Sequence, residues 1–333
     1  MTVLITGGTG FVGLGLAERL AEEGGADVIL FGAAPPPEYL RHRLSLDRLR
    51  ITLGDIRSAS DINAACRGAT IELVFHLAAV TAGPAKERDH PEQVLSVNIE
   101  GTAVLMKTLA RYAHPRRIVV ASSGSAYGYI AGDPDGRLNE RTACPSPTSI
   151  YGISKLAGEG VALRLGELYG FDVRVVRLGT VYGPWEYPTG VREMMSPQRQ
   201  ILQSLAAGRV AILPRPMKTD WIYVRDVARG LIALARAPAL DERLFNLGGG
   251  EVFDLLDWCR TLAARRPRFS WRLAAPGEAA NIRCNPPQDR APLDSRRIAE
   301  VTGFVPAFDL ARAADDYLAW FESLPPGCLS EAP

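Results

Sequence analysis

Tyr151-Gly152-Ile153-Ser154-Lys155 sets a phenol and an ammonium four residues apart, one turn along the same face of a helix. A nearby cation stabilises phenolate, so the tyrosine, with an ordinary pKa near 10, is brought toward the range of general acid–base work. Such a pair is common on solvated helices and needs company to mean anything. Ala121-Ser122-Ser123-Gly124-Ser125-Ala126-Tyr127-Gly128 provides it, following a β-rich run that would put the Ser123 hydroxyl at the carboxyl edge of a sheet. There Ser123 could hydrogen-bond the substrate oxygen whose proton Tyr151 takes or gives. The three side chains together are the expected catalytic core.

A phosphate cradle sits at the other end of the first unit. Thr6-Gly7-Gly8-Thr9-Gly10-Phe11-Val12-Gly13 links the first strand to the first helix. Gly7, Gly10 and Gly13 permit a tight turn and close backbone approach, and the helix opening at Phe11 and Val12 offers free N–H groups to a pyrophosphate. Gly54-Asp55-Ile56 ends the third strand, where Asp55 can accept from an adenine amino group. His76-Leu77-Ala78-Ala79 ends the fourth, with small residues beside the phosphates and ribose. The end of the second strand is Phe31-Gly32-Ala33, without the acidic residue that holds ribose hydroxyls or the arginine that accepts a 2′-phosphate. Arg41 and Arg43 lie beyond a proline run. NAD is therefore expected with weak discrimination, NADP is not excluded, and Gly32→Asp should sharpen the preference for NAD.

The elements that must position these groups alternate along the first 180 residues, as in a parallel sheet covered on both faces. Strands are expected at Thr2–Thr6, Asp27–Phe31, Arg50–Leu53, Leu73–Leu77, Arg117–Ala121 and Val173–Leu178. Helices are expected at Phe11–Glu23, Ala59–Cys66, Glu92–Tyr112 and Ile150–Tyr169. The fold class is α/β, a Rossmann-type doubly wound parallel sheet with a smaller C-terminal substrate-binding lobe. Residues 1–180 with about 218–248 form the nucleotide domain, about 181–217 and 249–325 the lobe, and 326–333 a flexible tail. With 47% hydrophobic and 23% charged residues and a net charge of +1, the composition is that of a soluble globular protein and points away from nucleic acid and membranes. Five dispersed cysteines, no metal-ligand spacing and an N-terminus without a basic n-region read as a cytoplasmic protein with no metal site.

With these motifs in order, the chain resembles the extended short-chain dehydrogenases, the NAD-dependent epimerase/dehydratase family, from Val3 to about Phe321. Further landmarks are Asn98 in Asn98-Ile99-Glu100-Gly101-Thr102, Arg177–Pro184, Asp220-Trp221-Ile222-Tyr223-Val224 and Asn246-Leu247-Gly248. The resemblance implies that Asn98, Leu178 and Val181 join Leu77, Ala78 and Ala79 at the cofactor, and that Lys155 holds the nicotinamide ribose. It implies a homodimer joined through helices around 92–112 and 150–169. Candidate substrate contacts are Thr81, Ser125, Thr180, Trp185 and Arg283.

Departures from the pattern narrow the chemistry. The 4,6-dehydratases carry acidic residues just after the catalytic hydroxyl position, where Gly124 and Ser125 stand here, so water elimination lacks its carboxylate. Thr180 and Thr219 replace an asparagine and an arginine usual in UDP-sugar epimerases, leaving Lys218 and Arg283 as possible cations for a diphosphate. That balance favours a net oxidoreductase acting on a secondary alcohol of a sugar, sugar acid or similar polyol. The alternative is a nucleotide-sugar epimerase with tightly held NAD. A non-catalytic nucleotide sensor is disfavoured because Ser123, Tyr151 and Lys155 are all retained.

Overall fold

The strands that reach the site are short and mostly buried, rich in Val, Ile and Leu, with the charges of β5 and β6 paired where they are buried. The structure, a computed structural model, describes residues 1–44, 47–285 and 288–325; the tail expected at 326–333 lies outside them. Its central sheet is built from β1 (Thr2–Thr6), β2 (Asp27–Gly32), β3 (Leu49–Leu53), β4 (Ile71–His76), β5 (Arg117–Ser123) and β6 (Asp172–Leu178). Three short strands follow: β7 (Thr180–Tyr182), β8 (Ala211–Leu213) and β9 (Trp221–Tyr223). β10 (Leu244–Leu247) completes the sheet, and β11 (Trp271–Leu273) comes last.

The sheet order is β10-β6-β5-β4-β1-β2-β3, with all pairings parallel. The chain reverses its direction of travel between β1 and β4, so a crevice opens beyond the carboxyl ends of those strands, where ligands bind in such folds. β7 pairs with β9, and β8 with β11, in two small two-stranded sheets. One apolar cluster runs from Val3 and Leu30 through Val176 and Trp221 to Tyr317 and Leu324. The later segments therefore share the core of the sheet. No helix among the described residues is long and apolar enough to cross a membrane.

The helices Phe11–Glu23, Ala59–Cys66 and Ile150–Tyr169 fall where their periodicity places them. The helix expected over Glu92–Tyr112 is interrupted. Pro91–Leu95 runs into a π-turn at Ser96–Glu100 before Gly101–Tyr112 resumes α geometry. The extra residue turns Asn98 into the fold, where its amide oxygen accepts from Val80 N (2.8 Å). Its amide nitrogen donates to Val80 O (3.1 Å) and Ser154 Oγ (2.9 Å). Periodicity alone does not distinguish such an insertion from a continuous helix.

His76 ends β4 only 3% exposed, its ring nitrogens 2.7 Å from Thr6 Oγ1 and 2.9 Å from Thr102 Oγ1. Burial, with Lys155 nearby, pushes its pKa down to about 3 from 6.5. The unfolded chain binds a proton below about pH 6.5 that the fold refuses. The stability from the neutral ring is thus complete above that pH and lost as pH falls toward 3, at up to about 1.4 kcal/mol per pH unit. His76→Gln, which keeps a donor and an acceptor, should flatten the decline in melting temperature between pH 6 and 4. An equally steep decline in the variant would assign the effect to other groups.

Candidate active site

A cleft of about 480 Å³ opens at the carboxyl ends of β1, β4, β5 and β6. Of the residues expected from the sequence, Val12, Leu77, Ala79, Thr81, Ser123, Ser125, Tyr151, Lys155, Leu178, Thr180 and Val181 line it.

Local structure explains how the catalytic candidates meet. Ser123 ends β5 and caps one turn of 3-10 helix, its hydroxyl accepting from Ser125 N at 3.1 Å. Ser149 caps the helix Ile150–Tyr169 by accepting from Gly152 N at 3.0 Å. A Cβ on Gly152 would stand 2.5 Å from Ser125 O, so only glycine lets this first turn press against the end of β5. Tyr151 N donates to Glu87 Oε1 at 2.8 Å, and the Ser123 and Thr81 hydroxyls reach the Tyr151 phenol oxygen. Burial raises the phenol above its usual value, while those two hydrogen bonds and the charges of Arg192 and Arg290 pull it back.

Lys155 lines the same cleft as Tyr151. Its ammonium donates to Ala121 O at 2.5 Å, which turns it toward β5. Burial lowers its pKa to about 8, against the opposing pull of Glu159. Glu159 accepts two bonds from Arg177 of β6, Nε to Oε1 at 2.9 Å and Nη2 to Oε2 at 2.6 Å. Ser122 Oγ donates to the same carboxylate at 2.5 Å. Arg177 also stacks 4.2 Å from the centre of the Tyr127 ring.

The glycine loop is a fitted cradle. A Cβ on Gly7, whose φ is +68°, would stand 2.6 Å from Ala78 N, and one on Gly13 would stand 2.4 Å from Gly7 O. No side chain caps the helix beginning at Phe11, so its first-turn N–H groups remain for an anion. Gly7, Gly10, Phe11, Gly13 and Ala78 thus form the loop wall beside the cleft rather than its lining. Ile56 is buried, and a Cβ on Gly101 would stand 2.7 Å from it. Asp55 is half exposed outside the cleft, and Arg57 holds its carboxyl below the usual range through an ion pair at 2.6 Å.

Three expectations need correction. Asn98 is a buried tie between Val80 and Ser154 and is not among the residues lining the cleft. Trp185 is 1% exposed and packs 6.0 Å from Trp320, so its indole belongs to the core. The Arg283 side chain is exposed, and its backbone bonds to the Gln200 amide at 2.8 and 3.0 Å. The arginines in the cleft are Arg192 and Arg290, with Glu87, Glu193 and Tyr129 also in its walls. Arg290 lies in the same proline-rich stretch as Arg283, and only the chain path separates the half-buried one in the cleft from the exposed one.

Residues 3–248 match the model of the NAD-dependent epimerase/dehydratase family. The chain belongs to that family. It is an NAD-dependent enzyme of the extended short-chain dehydrogenase type, and hydride transfer at a sugar-like secondary alcohol is its chemistry. A UDP-glucose 4-epimerase of Mycolicibacterium smegmatis is 29% identical, over 97% of this chain and 99% of that one. MoeE5, solved with UDP-glucuronic acid and NAD, superposes with a TM-score of 0.77 at 27% identity, covering 97% of this chain and 99% of its own. The UDP-glucose 4-epimerase of Thermotoga maritima, solved with UDP-glucose, shares the fold with a TM-score of 0.80 at 24% identity, over 97% and 99% of the two chains.

Two substitutions test this site. Tyr151→Phe should lower kcat by roughly 10²–10⁴ while NAD content is retained, because only the proton-transferring oxygen is lost. Turnover near the parent rate would remove Tyr151 from the chemistry. Gly32→Asp should not sharpen cofactor choice as the sequence implies. A Cβ there would stand 2.0 Å from Thr9 Oγ1 and 3.0 Å from Thr9 Cβ, displacing the glycine loop. Weaker binding of both NAD and NADP is the expected outcome of titrating them, and selective tightening of NAD would refute it.

Proposed function

We propose that this enzyme is a UDP-sugar 4-epimerase that keeps its NAD through the reaction. The observation carrying this reading over a net dehydrogenase is the segment 184–196, which crosses the glycine loop. Tyr187 donates its hydroxyl proton to Thr9 O at 2.6 Å, and the Arg192 guanidinium lies 5.3 Å from the centre of the Phe11 ring. Thr81 N donates to Val191 O at 2.9 Å and Glu193 N to Thr81 O at 3.1 Å, tying the segment to the loop after β4. A covered cofactor exchanges slowly, and an epimerase needs no exchange because the hydride returns to its own product. The UDP-sugars named for the relatives support the same choice.

NAD, when bound, accepts and returns a hydride. Its pyrophosphate would meet the glycine loop and the amides at Phe11 and Val12. Asp55, though bonded to Arg57, keeps acceptor capacity for the adenine amino group, and Lys155 would hold the nicotinamide ribose. The Tyr151 oxygen takes the proton of the sugar 4-hydroxyl and gives it back to the 4-oxygen once the opposite face of that carbon has been presented. Ser123 and Thr81 hold that oxygen in place, and Lys155 keeps positive charge beside it up to about pH 8. The kcat/KM profile should fall as pH rises through about 8, and a profile level to pH 10 would contradict that role.

We further infer a cytoplasmic homodimer in which residues 1–180 with 218–248 bind nucleotide and 181–217 with 249–325 cover the sugar. Leu95, Tyr112, Ile153, Leu168 and Tyr169 are exposed on the segments 92–112 and 150–169, an apolar face suited to a second copy. The purified protein should carry about one NAD per chain and scatter light as a dimer, with Leu168→Glu shifting it toward monomer. An empty cofactor site, with net NADH formed from a free sugar, would reinstate the dehydrogenase.

A further inference from the structure

Arg290 is a cation placed in the cleft without an anion to meet it. Its Nη1 donates to Ser125 Oγ at 2.8 Å, and it makes no ion pair among the described residues. Asp220 acts on it only through the field, its own oxygens accepting from Leu293 N at 3.0 Å and from Thr219 Oγ1 at 3.2 Å. The other cations of the cleft are already engaged. Arg192 pairs with Glu186 at 3.1 Å and donates to Met194 O at 2.8 Å, and Lys155 donates to Ala121 O. The acids in the walls are satisfied by backbone: Glu87 accepts from Tyr151 N, and Glu193 from Gly83 N and Lys86 N.

A guanidinium stays charged at any working pH and presents five donors in a planar fork that matches a carboxylate. Leaving such a group partly desolvated with one neutral partner is costly unless a ligand completes it. Ser125 adds to the demand. Its oxygen accepts from Arg290, so its own proton is free to give, and the two residues present donors side by side. Their position decides which part of a ligand they meet. Ser125 is two residues from Ser123, and the Arg290 charge reaches the Tyr151 phenol. The anion belongs on the carbon beside the reacting one, not across the ring at the diphosphate.

We propose that Arg290, with Ser125, is a specificity-determining residue that receives a sugar carboxylate, making a nucleotide-linked hexuronate the preferred substrate over the neutral hexose. The inference rests on the epimerase reading for its reaction and on the cleft alone for its binding.

Calorimetry with UDP, UDP-glucose and UDP-glucuronate, alongside 4-epimer formation from each sugar, tests both levels. The unaltered enzyme should bind and convert the uronate better than the hexose. Arg290→Gln should lower uronate affinity and kcat/KM roughly 10- to 100-fold, the loss of one charged hydrogen-bonding partner. Arg290→Lys should fall between, while UDP affinity changes less than about threefold and hexose conversion falls less than uronate conversion, by only what the lost charge beside the Tyr151 phenol accounts for. Equal losses on UDP and both sugars would make Arg290 a diphosphate contact, and no uronate preference in the unaltered enzyme would also overturn the proposal. Arg290-dependent uronate binding without epimer formation would leave the carboxylate site standing and remove the epimerase reading instead.

Discussion

The site depends on a buried ion pair that never touches it. Arg177 and Glu159, 3% and 5% exposed, join β6 to the helix that carries Tyr151 and Lys155, and Ser122 of β5 closes the group. A lone charge at that depth is strongly destabilising, and removal of one member of such a pair costs about 3–5 kcal/mol. The bidentate geometry fixes the helix in rotation as well as distance. A rotation by one residue, about 100°, would carry the phenol away from Ser123. Glu159 also supplies the negative charge that keeps Lys155 from losing its proton sooner, so one carboxylate sets both the geometry and the charge of the catalytic group.

Much of this was legible in the residues. The glycine loop, the six strands of the first half and the helix Ile150–Tyr169 follow from local rules: apolar runs for buried parallel strands, glycine where backbone meets backbone, and serine at a helix start. Gly152 shows the limit of such rules. Its presence between Tyr151 and Ile153 lowers helix propensity, and only the contact with Ser125 O explains it. The misplacements share a cause, since Trp185 and Arg283 were assigned by residue type in irregular segments. There, burial is decided by tertiary path, which an aromatic or a cation in a proline-rich stretch does not disclose. Asn98 is placed at the cofactor by the family resemblance alone, with no signal in its own helix to say which way its amide turns. Its hydrogen bonds to Val80 and Ser154 serve the same region by holding the loop after β4 against the catalytic helix.

The covering segment has its own cost. Trp185 adopts φ +71°, outside the comfort of a large side chain, and such strain is of order 1–3 kcal/mol. Burial of an indole offsets it. Glu186 beside it is 1% exposed and accepts from Ser196 N at 2.7 Å and Ser196 Oγ at 2.5 Å, so both ends of the crossing are pinned. The two ends of the segment are anchored in buried structure, while Pro188 and Gly190 between them are exposed.

The position of β10 in the sheet bears on how the chain comes to be folded at all. β6 finds its outer partner only at Leu244–Leu247, with Leu244 beside Val175 and Leu247 beside Leu178. During synthesis the polypeptide must therefore hold an apolar strand with an open hydrogen-bonding edge while some sixty-five further residues emerge. Ribosome-bound chains between those two points present a template for pairing with one another. The hazard ends only when the returning strand closes the edge, so the seven-stranded sheet has no finished form before the segment between β6 and β10 has been made.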